Sequence, residues 1–129
     1  MRSIVSTPDA PTSSLYSQGI AAGPFLFVSG MTGIDVTTGL AEPGIREQTT
    51  QALRNCLAIV EAGGCAIADI VQVTVLLAHP EDFAGMNEAY AAFFRSDPPT
   101  RAVTKLGVEL PGILISVMMT AYRAPVAGA

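Results

Sequence analysis

The stretch IREQTTQALRNCLAIVEAGGCAIADIVQVTVLLAH, residues 45–79, decides the fold because a helical pattern is followed closely by a strand pattern. From Ile45 to Ala62 apolar residues recur at helical spacing, and Gly63-Gly64 supplies a C-terminal stop. The predicted buried stripe comprises Ile45, Ala52, Leu53, Cys56, Ile59 and Val60, with Arg46, Glu47, Gln51, Arg54, Asn55 and Glu61 on the other side. The run from Ile70 to Leu77 is rich in β-branched residues, which predicts a strand.

The segments on either side continue this alternation of strands and helices. Residues 17–30, SQGIAAGPFLFVSG, are predicted to form a hairpin around AAGP, and residues 32–44 a polar, Gly-rich loop. Residues 81–95 are predicted to form a second helix that Pro98-Pro99 prevents from continuing. Its apolar positions are Phe83, Met86, Tyr90 and Phe93. Residues 101–108 and 113–123 are predicted to be two further strands.

The resulting order, β-β-β-α-β-α-β-β, indicates an α+β fold with a mixed six-stranded sheet and two helices on one face. Early and late hairpins are expected around two strand–helix–strand crossovers, which should be right-handed. No linker or repeat divides the chain, so residues 1–129 are expected to form a single domain. The terminal residues 1–12 and 124–129 are expected to be loose.

Two of the predicted strands are apolar on both sides. In the last strand Ile115 and Val117 alternate with Ser116 and Met118, so neither side is strongly polar, and the strand from Ile70 to Leu77 behaves similarly. Two helices can cover only one face of a sheet. The other face is therefore expected to pack against a further copy of the same chain.

Charge and composition exclude several classes of function. Lys and Arg total 7 and Asp and Glu total 11, which gives a net charge of −4 and argues against a surface that follows nucleic-acid phosphates. No apolar run approaches the roughly 20 residues that span a bilayer. The first residues do not resemble a signal peptide. A soluble, cytoplasmic protein with no membrane or nucleic-acid partner is therefore expected.

Cysteine and histidine form no metal-binding pattern. Cys56 and Cys65 match no zinc spacing and are expected to be small core residues rather than ligands or a disulfide. His79 is the one histidine, and a strand-end or helix-capping role is favoured over a catalytic or metal-binding role. No metal site is predicted.

Arg101 is the residue whose chemistry is most suggestive. It follows Pro98-Pro99-Thr100, a stiff extended approach that fixes where the next strand begins. A guanidinium on a rigid strand end is a planar, permanently charged fork that can hold a carboxylate through two hydrogen bonds. The residues alone leave a surface or inter-subunit salt bridge as the stronger alternative.

Three stretches carry a resemblance to a known family. They are YSQGIAAGPFLFVSGMTGIDVTTG (16–39), QTTQALRNCLAIVEAGGCAIADIVQVTVLLAHPEDFAGMNEAYAAFF (48–94) and PPTRAVTKLGVELPG (98–112). Together with the succession Asn87, Tyr90, Phe93-Phe94 and Pro-x-Arg, they resemble the reactive intermediate deaminase family, also called Rid, YjgF or endoribonuclease L-PSP proteins. The resemblance extends from Tyr16 to Tyr122.

This resemblance implies a fold, an assembly and an activity. Members of the family are chorismate-mutase-like homotrimers with clefts between subunits, and typical members hydrolyse small enamines and imines to 2-keto acids and ammonia without a metal or organic cofactor. By resemblance, Arg101 binds the carboxylate of a small metabolite and Tyr16 closes over it. Ser29-Gly30 and Asn87 line or brace the cleft. Without the family, ordinary structural roles are preferred: a loop anchor for Tyr16, a strand-end hydroxyl for Ser29, and for Asn87 a helix residue that bonds to a neighbour's backbone.

The last strand departs from the family pattern, in which a glutamate handles the water and its proton. Ser116 occupies that place when the strands are matched, whereas alignment on Leu-Pro would put Val117 there. No register supplies a carboxylate, so Ser116 is the candidate for the catalytic position. Glu109 is either an ordinary loop carboxylate or a substitute that reaches a neighbouring cleft. Val103 replaces a cysteine that many members carry.

Three hypotheses follow. The first is a trimeric, cofactor-free hydrolase of small 2-imino or enamino acids, with Arg101 as the anchor and Ser116 in place of the usual acid. The second is a non-catalytic trimer that senses a small carboxylate, motivated by the missing glutamate. The third is an endoribonuclease or translation inhibitor, against which the acidic charge balance argues.

Overall fold

Six strands form one mixed sheet, and two helices pack on one of its faces. The computed structural model describes residues 1–124. The strands are β1 Arg2–Val5, β2 Gly19–Ala22, β3 Phe25–Thr32, β4 Ile34–Asp35, β5 Leu40–Ala41, β6 Ile70–Leu77, β7 Thr100–Lys105 and β8 Ile115–Tyr122. The helices are α1 Ile45–Ala62 and α2 Phe83–Phe93, and 3-10 turns occupy Ile67–Asp69 and Pro80–Asp82.

The order of strands in the sheet is β1-β2-β3-β8-β6-β7, which confirms the predicted α+β fold with a six-stranded mixed sheet. Strands β6 and β7 are parallel, and the other neighbours are antiparallel. The expected late hairpin is wrong, because β8 lies between β3 and β6 instead of beside β7. The burial of the two strands explains this order. Alternate residues of β8 are buried, as expected for a strand in the interior of the sheet, whereas most of β7 is exposed, as expected for an edge strand.

The N-terminal segment is ordered by the sheet rather than loose. Strand β1 pairs antiparallel with β2, and Ile4 lies opposite Ile20. The buried amide of Gln18 donates to the carbonyl oxygens of the segment that follows β1, at 3.0 Å for Thr7 and 2.9 Å for Ala10. The expectation that the N-terminal segment 1–12 is loose is therefore corrected for β1 and for the residues that Gln18 holds. Of the other expected loose segment, 124–129, all but Ala124 lies outside the described residues.

The predicted loop 32–44 contains a short hairpin, β4–β5. Asp35 organises its turn, because one carboxylate oxygen accepts hydrogen bonds from the backbone N–H of Thr37 at 2.8 Å and from its hydroxyl at 2.7 Å. These two bonds stabilise the ionised carboxylate and lower the pKa of Asp35 from its ordinary value. Gly39 closes the turn at φ +72°.

Helix α1 has the predicted bounds, and Ala52, Leu53, Cys56, Ile59 and Val60 are buried as expected. Asn55, which was expected on the polar side, is 1% exposed. Its Nδ2 donates to the carbonyl oxygens of Thr32 and Ile34, each at 2.9 Å. A buried amide is tolerated here because it satisfies backbone groups that water cannot reach.

Gln48 performs the same task at the loop before β8. It is 2% exposed, and its Nε2 donates to Gly112 O at 2.8 Å while its Oε1 accepts from Leu114 N at 2.9 Å. The loop 106–114, which carries the chain to the middle of the sheet, is thereby fixed to α1. No helix in the described part of the chain is long and apolar enough to cross a membrane.

The two faces of the sheet differ in what covers them. The face beneath α1 and α2 is buried, and the helices are joined by an ion pair between Arg46 Nε and Glu88 Oε2 at 2.6 Å. The opposite face carries large exposed apolar side chains, as predicted: Phe25, Phe27, Met118 and Tyr122 are 42%, 49%, 44% and 40% exposed. We call these four residues the open-face patch.

Candidate functional site

Arg101 lies at the start of the edge strand β7 and turns toward α2. Its backbone partner on β6 is Val73, which is buried beneath the helices, so the Arg101 side chain projects on the helix side of the sheet. Nη1 donates to Asn87 Oδ1 at 2.8 Å, and the guanidinium carbon lies 4.8 Å from the centroid of the Tyr90 ring. Two side chains of α2 therefore fix the direction of the charge.

The guanidinium keeps most of its hydrogen-bonding capacity. It carries five N–H donors, and Asn87 accepts from one nitrogen. Within residues 1–124 no Asp or Glu forms an ion pair with Arg101. The side chain is exposed beside α2. A salt bridge to an acid within residues 1–124, one alternative to a ligand site, is thus not formed, while the inter-subunit alternative stays open.

Tyr90 provides the surface beneath this charge. The residue is 7% exposed, and its hydroxyl has no hydrogen-bond partner among the described residues. Burial raises the pKa of the Tyr90 phenol, and the positive charge of Arg101 opposes part of that rise. A neutral ring therefore faces the guanidinium and adds a cation–π attraction of about 0.5–1 kcal/mol at an exposed site.

An apolar groove lies at the end of β7 that is distant from Arg101, where Lys105 pairs with Leu77. Its cavity has a volume of about 420 Å³ and is lined by Leu77, Pro80, Phe83, Val103, Thr104 and Lys105. Phe83, one of the predicted apolar positions of α2, is 46% exposed and lines this groove. We call these six residues the β7 groove.

Tyr16 and Ser29 lie close to each other, in a part of the chain that does not include Arg101 or the β7 groove. Tyr16 is 50% exposed in the segment before β2. Ser29 Oγ donates to Ser17 O at 2.6 Å, and Ser29 N donates to Gln18 O at 2.9 Å. Ser29 is therefore a brace for the backbone that carries Tyr16. Gly30 follows at an irregularity of the β3–β8 pairing, where a Cβ would lie 3.0 Å from Ser116 Oγ.

Ser116 and Arg101 are not brought together within one chain. Ser116 is paired with Leu76 on β6, whereas Arg101 is paired with Val73, three residues away on the same strand. Two strand spacings and three residues of rise separate their Cα atoms by roughly 14 Å. Ser116 also belongs to the opposite face, since its neighbours Ile115 and Val117 are buried beneath the helices. The predicted site residues thus fall into two groups, one containing Arg101 and Asn87, the other containing Tyr16, Ser29-Gly30 and Ser116.

The remaining candidates lie apart from both groups. His79 is exposed directly after β6, which matches the expected strand-end position, and lines a cavity of about 570 Å³ with Lys105 and Glu109. Cys56 and Cys65 are free; burial raises both thiol pKa values, more so for the fully buried Cys56. No cluster of three His, Cys, Asp or Glu able to hold a metal occurs in residues 1–124.

Sequence reasoning missed two contributors. Tyr90 was predicted as an apolar helix position and counted in the family motif but was given no role in the site, although its position three residues after Asn87 places both on one helix face. Gln18, whose amide ties residues 7–11 to the segment before β2, carried no local signal because its partners are distant backbone carbonyls.

Comparison with known proteins gives a consistent picture. The sequence model described as Endoribonuclease L-PSP matches residues 7–122. A RutC family protein of Pyrococcus horikoshii is 39% identical over 95% of this chain and 99% of its own length. A 2-iminobutanoate/2-iminopropanoate deaminase of Rattus norvegicus is 35% identical over 97% of this chain and 93% of its own. The structure of E. coli TdcF with bound serine superposes with a TM-score of 0.89 at 30% identity, covering 95% of this chain and 99% of that one.

Proposed function

Because the chain belongs to the endoribonuclease L-PSP family, also called Rid or YjgF, we propose that it hydrolyses small 2-imino or enamino acids to 2-keto acids and ammonia. One observation carries this proposal. The Arg101 guanidinium is held by Asn87 and Tyr90, is exposed, and forms no ion pair with a described acid. That arrangement suits a ligand with a carboxylate.

The chemistry requires little of the protein beyond positioning. A 2-imino acid has a carboxylate next to an electrophilic C=N carbon, so binding of the carboxylate by Arg101 fixes the position of that carbon. Water adds to the carbon, a proton passes to the nitrogen, and the resulting carbinolamine releases ammonia and leaves the 2-keto acid. No external oxidant or reductant is needed, and the proposal requires no metal or organic cofactor.

Ser116 is the proposed water-orienting residue. Its hydroxyl can accept or donate a hydrogen bond but is a poor base at neutral pH without a partner. General-base catalysis is commonly worth about 10²–10⁴-fold. We therefore expect turnover that is slower than in relatives with a carboxylate at this position. If the protein does not catalyse hydrolysis, the cause would be the serine in place of a carboxylate as proton acceptor.

A complete site requires two copies of the chain. Arg101 and Ser116 lie on opposite faces of the sheet, so a ligand held by Arg101 of one protomer would meet Tyr16, Ser29 and Ser116 of another. The exposed open-face patch supplies an apolar surface for such an assembly. We propose a homotrimer with three equivalent clefts, as the family resemblance implies.

The test is a coupled assay in which an amino-acid oxidase generates 2-iminopropanoate or 2-iminobutanoate and the disappearance of the imine is followed. Wild-type protein should accelerate hydrolysis, and Arg101→Ala should abolish most of the acceleration. Arg101→Lys keeps the charge but loses the two-pronged geometry, so its rate should lie between the two. Equal rates for wild type and Arg101→Ala would reject the proposal.

The second candidate is a non-catalytic binder of small carboxylates. The observation that favours it is Ser116 itself, since no acidic residue occupies that stretch of β8. The E. coli relative with bound serine is an example of a structure of this fold that holds a small carboxylate. Thermal stabilisation by 2-keto acids without any imine turnover would support this alternative, whereas rapid Arg101-dependent turnover would exclude it.

A further inference from the structure

Ser116 has a second hydroxyl directly beside it, on the face of the sheet that the helices leave uncovered. Thr32, the last residue of β3, lies opposite Ser116 in the antiparallel pairing of β3 with β8. The Cβ atoms of directly opposed residues are about 4.5–5.5 Å apart, so the two hydroxyls can reach a common water molecule. The partner of Ser116 on its other side is Leu76 of β6, whose side chain forms no hydrogen bonds. Thr32 is therefore the cross-strand neighbour that can share a polar ligand with Ser116.

Both hydroxyls are available to such a ligand. The backbone of Thr32 is fixed, because its carbonyl oxygen accepts a hydrogen bond from Asn55 Nδ2 at 2.9 Å. Within residues 1–124 neither the Thr32 nor the Ser116 hydroxyl is used in a hydrogen bond, and both residues are half-buried. Gly30 keeps the adjacent space open. Apart from its chain neighbours, the one described atom within 4 Å of a Cβ placed at Gly30 would be Ser116 Oγ, at 3.0 Å.

We infer that Thr32 and Ser116 together bind the hydrolytic water, so that two hydroxyls on neighbouring strands take the place of the two oxygens of one carboxylate. This inference rests on the proposed function. Each hydroxyl oxygen can accept a hydrogen bond from one O–H of the water. A lone pair of the water oxygen then remains free for the C=N carbon of an imine whose carboxylate is bound by Arg101.

The addition step balances without a strong base in the protein. The water oxygen forms a bond to the imine carbon while the π electron pair of the C=N bond moves to the nitrogen. Ser116 Oγ accepts a proton from the water and gives its own hydroxyl proton to that nitrogen, so the serine is unchanged after the step. The substrate nitrogen is the final proton acceptor, which suits a hydroxyl that is a poor base by itself. Thr32 holds the water and stays protonated throughout.

The experiment measures kcat and KM of the full-length protein for 2-iminopropanoate in the coupled assay. Thr32→Val keeps the shape of the side chain and removes the hydroxyl, so kcat should fall by about 2- to 12-fold, the equivalent of one net hydrogen bond. KM should stay unchanged, since Arg101 still binds the carboxylate. Thr32→Ser keeps the hydroxyl and should retain most of the wild-type kcat. A role in packing alone predicts the reverse order, because valine suits a strand better than serine.

Two further variants test whether the water is shared. Thr104→Val is the matched control, because Thr104 pairs with Leu76 and so lies two strand spacings, about 10 Å, from Ser116 on the same face. Its kcat should equal that of the wild type. When Thr32→Val and Ser116→Ala are combined, kcat should fall by less than the product of the two single losses, since either change releases the same water.

The outcomes separate the inference from the proposed function. Arg101-dependent turnover that Thr32→Val slows and Thr32→Ser preserves supports the shared water. Arg101-dependent turnover with an unchanged kcat in Thr32→Val, an equal loss in Thr104→Val, or fully multiplicative losses overturns the shared water and leaves the proposed function standing. Absence of any Arg101-dependent turnover overturns both. Threonine and valine have nearly the same shape, so Thr32→Val should fold, and its urea midpoint checks this.

Discussion

Asn87→Asp is expected to strengthen the fold while it weakens the site. The substitution is nearly isosteric and places a carboxylate where the Asn87 Oδ1 now accepts from Arg101 Nη1 at 2.8 Å. An exposed salt bridge of this kind contributes about 0.2–1 kcal/mol to the free energy of unfolding. The same carboxylate neutralises the charge that would attract a ligand, so stability and affinity should change in opposite directions.

The loss of affinity can be bounded from the geometry. A ligand carboxylate bound to the other nitrogens of Arg101 would lie about 6 Å from the new charge, and the repulsion at that distance is about 0.7–3 kcal/mol for effective dielectric constants between those of water and the protein surface. Affinity for a 2-keto acid at pH 7 should therefore fall roughly 3- to 100-fold. A purely structural role for Asn87 predicts no such loss.

The assay combines calorimetry with urea unfolding at two values of pH. Near pH 7 the variant should bind more weakly and unfold at higher urea. As pH falls below about 3.9, where a free Asp becomes protonated, both differences should shrink. Ser96→Asp adds the same charge to an exposed position outside the Arg101 contact and should leave affinity unchanged. If Asn87→Asp binds as tightly as wild type, the carboxylate does not meet Arg101 and the reasoning is refuted.

Three further predictions concern groups outside the site. Thr49 is 1% exposed and its hydroxyl has no partner in the described structure, so Thr49→Val should raise the free energy of unfolding by about 1 kcal/mol, as read from the urea midpoint; a decrease would mean that the hydroxyl is hydrogen-bonded. The hydrogen bonds from Thr37 lower the pKa of the Asp35 carboxyl. The stabilisation that these bonds give is therefore present above the ordinary pKa and is lost as pH falls through the lowered pKa. An NMR titration of the Asp35 carboxyl carbon should have a midpoint below 3.8, and a midpoint at or above that value would contradict the turn geometry. Cys65 is partly exposed and Cys56 fully buried, so a thiol reagent should modify Cys65 alone in the native protein and both in denaturant, whereas equal native reactivity would show that α1 opens readily.

Local patterns in the sequence determined the elements of this protein. The bounds of α1 were predictable because one apolar stripe and a terminal Gly-Gly are encoded within the helix itself. The exposed open-face patch was predictable as well, since alternation along β8 reveals two apolar sides before any partner strand is known. The candidate residues Arg101, Asn87 and Tyr16 came from recognisable motifs, and their chemical types limited what they could do.

Only the tertiary structure decided which of these residues meet. Insertion of β8 between β3 and β6 places Ser116 across the sheet from Arg101, a separation that no local pattern contains. The burial of Asn55 and Gln48 depends on loops that approach α1 from distant parts of the chain. Strand order and side-chain partners depend on contacts between segments that are far apart in sequence. Those contacts must bury apolar side chains and at the same time give buried backbone groups their hydrogen-bond partners. Periodicity reports which side of an element is apolar, and the assembled sheet determines what that side faces.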